Sequence, residues 1–125
     1  MKNILILDNN KDILNALHAG LCACLKECGV LTASNAEKGN AILKTQAIDL
    51  VLTDLDMPIM NGYQFIEQTR RDHPSIPVCV MTGACPTQVK DRLSAMGVKQ
   101  VLTKPFPMES LARMVSEELG VAYSS

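Results

Sequence analysis

Short apolar runs alternate with stretches in which apolar residues recur at intervals of three and four. The runs are residues 3–8 (ending on Asp8), 30–33, 49–53, 78–81 and 100–103, each of strand length and each stopped by polar or turn-forming residues. Leu14, Leu17, Leu21, Leu25 and Cys28 have helical spacing, with Gly29 as the stop. Ala36, Gly39, Ile42 and Leu43 form the inner face of a second helix that Ser34 or Asn35 can cap. Phe65, Ile66 and Thr69 mark a third helix after Gly62. Val89, Leu93 and Met96 mark a fourth that ends at Gly97, and Leu111, Met114, Val115 and Leu119 mark a fifth. Strand and helix patterns alternate five times. Right-handed crossovers turn that alternation into an α/β fold, a doubly wound parallel sheet of five strands covered on both faces. Residues 1–121 read as one domain and residues 122–125 as a short polar tail.

Apolar runs without alternation are what strands buried on both faces require. In such sheets the chemistry collects beyond the carboxyl ends of the strands. Asp8, Asp54, Thr82 and Lys104 each follow one of these runs, so all four are expected on one rim. Met57-Pro58 and Asn61-Gly62 turn the chain after Asp54. Two carboxylates, a hydroxyl and an ammonium suit a phosphoryl group handled with a divalent cation. Asp54 can serve as nucleophile, and Lys104 and Thr82 can neutralise or hydrogen-bond the transferring oxygens. Gly83 and Ala84 leave room for them.

Composition narrows the classes. The chain has 125 residues, a formal charge of −1 and 3% aromatic residues, which argues against direct nucleic-acid binding. The longest apolar N-terminal run, residues 4–7, is too short for a signal peptide or a membrane span, so a cytoplasmic location is the default expectation. Five cysteines are present, three of them (Cys22, Cys24, Cys28) expected on the first helix. Cys22 and Cys24 would point to nearly opposite faces, and no C-x-x-C pair occurs, so reduced structural thiols are expected rather than a metal site. His18 and His73 read as structural or solvated, without a ligand-spaced partner. The scattered methionines read as core filler.

Leu5-Ile6-Leu7-Asp8, Asp54-x-x-Met57-Pro58-x-x-x-Gly62, Thr82-Gly83 and Lys104-Pro105-Phe106 together resemble the receiver domain of bacterial two-component response regulators, over residues 3–119. The resemblance implies the flavodoxin-like strand order 2-1-3-4-5. It also implies a phosphoryl group passed to Asp54 from a sensor histidine kinase or phosphotransfer protein, with Mg²⁺ held by Asp8, Asp54 and the backbone carbonyl of Asp56. Lys104 would pair with the phosphate, Thr82 would swing inward to it, and Pro105 would follow a cis peptide bond. An output domain or protein partner would read the face of helix four, strand five and helix five. A homodimer through the last two helices carries no pattern of its own.

The chain departs from the family pattern in two places that matter. Asn9 stands where a second adjacent acid is usual, which predicts weaker Mg²⁺ binding, partly restored by the Asp56 carboxylate. Val101 stands where many members carry an inward-turning aromatic ring, and valine is a short, stiff lever. Pro107 occupies the place of a polar cap on the last helix. Two readings compete with the phosphoacceptor. One is a receiver-like interaction module that works without phosphate because Asn9 cripples the metal site. The other is a phosphatase of the haloacid-dehalogenase type, suggested by Asp54-Leu55-Asp56 but placed after the third strand rather than the first.

Overall fold

A computed structural model describes residues 1–56, 62–83 and 86–123. Ten elements alternate as expected: β1 (Lys2–Leu7), α1 (Lys11–Cys24), β2 (Cys28–Ala33), α2 (Ala36–Thr45), β3 (Leu50–Asp54), α3 (Gly62–Asp72), β4 (Val78–Thr82), α4 (Thr87–Ala95), β5 (Gln100–Thr103) and α5 (Met108–Leu119). The strands form one parallel sheet in the order β2-β1-β3-β4-β5.

The period of two along the inner strands explains their unbroken apolar character. Ile4, Ile6, Leu50, Leu52, Cys79 and Met81 face one way, into a cluster closed by Leu14, Leu17 and Leu21 of α1 and Leu111 and Val115 of α5. Leu5, Leu7, Val51, Val78 and Val80 face the other way, toward Leu43 of α2, Phe65 and Ile66 of α3 and Leu93 of α4. The apolar residues of the inner strands therefore sit in a core whichever way they point, and the sheet is doubly wound.

The first crossover departs from expectation. Helix α1 ends at Cys24, where the Leu25 N–H closes the last turn on the Leu21 carbonyl. Cys28 and Gly29 open β2, paired with Lys2 and Asn3. Gly29 is not a helix stop but a β2 residue, where a β-carbon would have to displace the Asn3 side-chain oxygen of the neighbouring strand. Cys24 and Cys28 therefore share no helix face. The other boundaries move by a residue or two at most where they differ. β1 stops at Leu7 rather than Asp8, and β3 and β4 run on to Asp54 and Thr82 because both still have ladder partners, Met81 and Thr103.

Gly62 fixes the joint after β3. Its N–H donates to the Leu55 carbonyl at 2.9 Å. A β-carbon at Gly62 would stand 2.5 Å from that oxygen and 2.6 Å from the Leu55 Cα. The start of α3 can thus close on the end of β3 only without a side chain. Among the described residues no helix is long and apolar enough to cross a membrane.

Candidate functional site

Asp8 is the first residue beyond β1, and its N–H still donates to the Ala33 carbonyl of β2 at 3.2 Å. Its side chain is almost wholly buried, with 1% exposed. Asp54 closes β3 with 7% of its side chain exposed: deep, but not sealed. Lys104, one residue past β5, sends its Nζ between the two, 3.1 Å from Asp8 Oδ2 and 3.5 Å from Asp54 Oδ2.

The other carboxylate oxygens are held by one repeated device. Asp8 Oδ1 accepts the N–H of Asn10 at 2.9 Å, and Asp54 Oδ1 accepts the N–H of Asp56 at 3.2 Å. Each acid thus grips the backbone two residues on, which orients its second oxygen toward Lys104. Asn10 has a further task. It caps α1, its side-chain oxygen accepting from the N–H groups of Asp12 and Ile13 at 2.9 and 3.2 Å.

Thr82 ends β4 and is buried, one position beyond the residue that pairs with Asp54. Its carbonyl accepts the Lys104 N–H at 2.7 Å. Gly83 follows, exposed, with nothing within 4 Å of where a β-carbon would lie, so the rim is open there. Asn9 and Asp56 are both exposed beside the buried acids. Ala84 and the loop residues Met57, Pro58 and Asn61 lie outside the described residues. The Lys104–Pro105 peptide is cis, as expected, and Pro107 gives α5 no side-chain cap. Val101 is half-buried, pairs with Val80 and packs on the core cluster that Val89 of α4 and Met96, just past its end, also join.

Charge at the rim is unbalanced. Two carboxylates face one ammonium, and the exposed Asp56 adds to the excess. Burial pushes the Asp54 carboxyl above its ordinary pKa. The Asp56 N–H pulls it back, the charge of Asp8 raises it further, and Lys104 opposes that rise. A carboxylate stripped of water and crowded by another is more basic, and it gains from any cation brought to it.

The donor set fits Mg²⁺. Hard oxygens are what that ion takes, and it ordinarily uses one or two carboxylates with water filling the rest of its shell. Asp8 and Asp54 already share one cationic centre, the Lys104 ammonium, so their oxygens converge on positive charge. Among the described residues no group of three His, Cys, Asp or Glu forms a closed cage. The protein side of the site is the sparse kind.

Residues 4–116 match the family described as the response regulator receiver domain. The chain belongs to that family. Relatives of this receiver include the transcriptional regulatory protein GlrR of Escherichia coli K12, 29% identical over 119 residues that make up 94% of this chain and 26% of that protein. The probable transcriptional regulator ycf29 of Cyanophora paradoxa is 34% identical over 96% of this chain and 57% of its own length. The receiver therefore spans about a quarter to somewhat over half of these relatives. In fold it is similar to a CheY-like receiver domain protein from Methanospirillum hungatei, with a TM-score of 0.88 at 24% identity, covering 96% of this chain and 94% of that one. Vibrio cholerae CheY4 is alike to the same degree, with a TM-score of 0.87, 24% identity, and 94% and 98% covered.

Two further contacts went unread in the sequence. His18 does have a partner: Cys22, one turn on, places its Sγ 3.9 Å from either ring nitrogen. Arg92 of α4 lies over the Tyr63 ring of α3, 3.7 Å from the centroid. The first needed only the four-residue helical spacing to be tested across residue types. The second joins two helices, and no local pattern contains it.

Proposed function

We propose that this receiver accepts a phosphoryl group on Asp54 from a phosphohistidine of a sensor kinase or phosphotransfer protein, and that the modified state is read by an output domain or a protein partner. The observation that carries the reading is the Lys104 ammonium set between two buried carboxylates, 3.1 Å from Asp8 and 3.5 Å from Asp54. A buried, basic Asp54 oxygen attacks phosphorus, the new O–P bond replaces the N–P bond of the donor, and the leaving imidazole keeps the bonding pair and takes a proton. Lys104, freed from part of its pairing with Asp54, turns its charge to the arriving phosphoryl oxygens. The Thr82 hydroxyl supplies a hydrogen bond from the adjoining strand end.

Asp8, Asp54 and the Asp56 carbonyl would hold Mg²⁺, which supplies neutralisation of the charge spread over the transferring oxygens. Asn9 contributes a neutral oxygen where a carboxylate would bind more strongly. The domain catalyses only its own phosphorylation and dephosphorylation. Output through α4, β5 and α5 then proceeds with Val101 as a short lever.

The test is incubation with a small acyl phosphate, with and without Mg²⁺, followed by intact mass. A metal-dependent labile adduct that disappears in Asp54→Asn supports the reading, and absence of any adduct assigns a phosphate-independent interaction module. Turnover of generic phosphate esters would instead make it a phosphatase. Asn9→Asp should tighten Mg²⁺ binding at least about tenfold, since it adds a full charge beside the site.

A further inference from the structure

Helix α4 is held to the body by fewer groups than its neighbours are. Among the described residues it buries Leu93 alone, whereas α1 and α2 each bury three and α3 and α5 each four. Its N-cap is Pro86, which makes no side-chain cap hydrogen bond. The far end is pinned instead. The N–H groups of Val98 and Lys99 donate to the Leu93 and Val78 carbonyls at 3.0 and 2.8 Å. Gly97 makes the turn between them at φ +86°, where a β-carbon would stand 3.0 Å from Arg70 Nε. One end of α4 is thus tied to the sheet, and the other starts without a side-chain cap. Few buried apolar anchors mark an element that opens locally, ahead of the global transition.

Between the two ends stands Arg92. Its guanidinium carbon is 3.7 Å from the centroid of the Tyr63 ring, inside the distance of about 6 Å at which a cation is drawn to an aromatic face. Arg92 is exposed, and among the described residues no carboxylate pairs with it, so no ion pair competes with the ring. Tyr63 belongs to the other side of the joint. It follows Gly62, whose N–H is bound to the Leu55 carbonyl at 2.9 Å, and its half-buried ring packs on the cluster that holds Phe65 and Leu93. The ring is anchored in the body, and the guanidinium rides on α4.

We propose that Arg92 and Tyr63 form a latch that holds α4 down, with Gly97 as the hinge, so that loss of this one contact lets the helix lift while the sheet stays folded. Lifting uncovers Val89 and Leu93, which now pack in the core cluster. An exposed cation–aromatic contact is weak, so its loss should raise the population of the lifted form by about two- to fivefold. Helix α4 lies on the face assigned above to output, and the latch sets how readily that face changes shape. That consequence rests on the reading of Asp54 as phosphoacceptor. The latch itself does not, and unmodified protein tests it.

The experiment is amide hydrogen exchange read by mass spectrometry over residues 86–96, with peptides of α5 as the reference. Tyr63→Leu and Arg92→Gln should each speed exchange in α4 by about two- to fivefold and leave α5 unchanged. Tyr63 lies on α3, and Gln has nearly the helix propensity of Arg, so neither change alters the intrinsic helical preference of α4. Tyr63→Phe keeps the aromatic face and should exchange as the parent does. The double variant should be no faster than the faster single variant, because either change removes the same contact. Four results would overturn the latch: α4 unchanged in Tyr63→Leu, Tyr63→Phe as fast as Tyr63→Leu, effects that multiply in the double variant, or an acceleration that α5 shares.

Discussion

At the scale of single residues, Asp54 is the most informative group in the chain. Its carboxyl is pushed above the ordinary 3.8, chiefly by burial, so the folded protein holds that proton more tightly than the unfolded chain does. The stabilising contribution is fully present below the ordinary value and is lost as pH rises through the folded one. An ionised Asp54 therefore weighs against the fold at neutral pH. Asp54→Asn, of nearly the same shape, should melt at a higher temperature than the parent at pH 7, and the two curves should converge as pH falls below about 4. Thermal scans across that window check the sign. Added Mg²⁺ should raise the melting temperature of the parent more than that of the variant, because the ion gains most where the charge is real.

Elements divide into those their own sequence bounds and those bounded by a neighbour. Gln100–Thr103 was legible to the residue, because Lys99 and Lys104-Pro105 punctuate it. The end of α1 was not. Cys28 continues a helical spacing from Leu21 and Leu25, and only the ladder with Lys2 and Asn3 makes it a strand residue. The site divides the same way. Asp8, Asp54, Thr82 and Lys104 could be picked out because topology sends strand ends to one rim. The paired turns that aim the two acids depend on backbone geometry that residue types do not encode, whereas the cap that Asn10 supplies is of a type Asn favours just before a helix. Gly62 shows how strict such a joint is. Gly62→Ala gains about 1 kcal/mol of helix propensity. It also places a β-carbon against the Leu55 backbone, which no rotamer change relieves. The clash should win, costing about 3 kcal/mol or more. Urea titration should show a lower midpoint at an unchanged slope.

For the whole molecule, the two faces of the sheet imply that the core opens together or not at all. Cys79 lies at its centre, fully buried, with its thiol pushed up to about 12 by burial and by nearby Glu118. Cys22 stands in solvent. A thiol reagent followed by peptide mapping should modify Cys22 at once. Cys79 should react only as fast as global unfolding allows, with a urea dependence matching the equilibrium transition. Cys79 reacting at a rate close to that of half-buried Cys24 would mean that the sheet opens locally.

The 2.7 Å bond from the Lys104 N–H to the Thr82 carbonyl yokes the ends of two neighbouring strands. Neither main chain can be displaced alone without giving up that bond. A pull that reaches the main chain at Lys104 is therefore shared between β4 and the outermost strand. A disturbance no wider than one side chain thereby arrives at the margin of the sheet already spread over two backbones, where a binding partner could feel it.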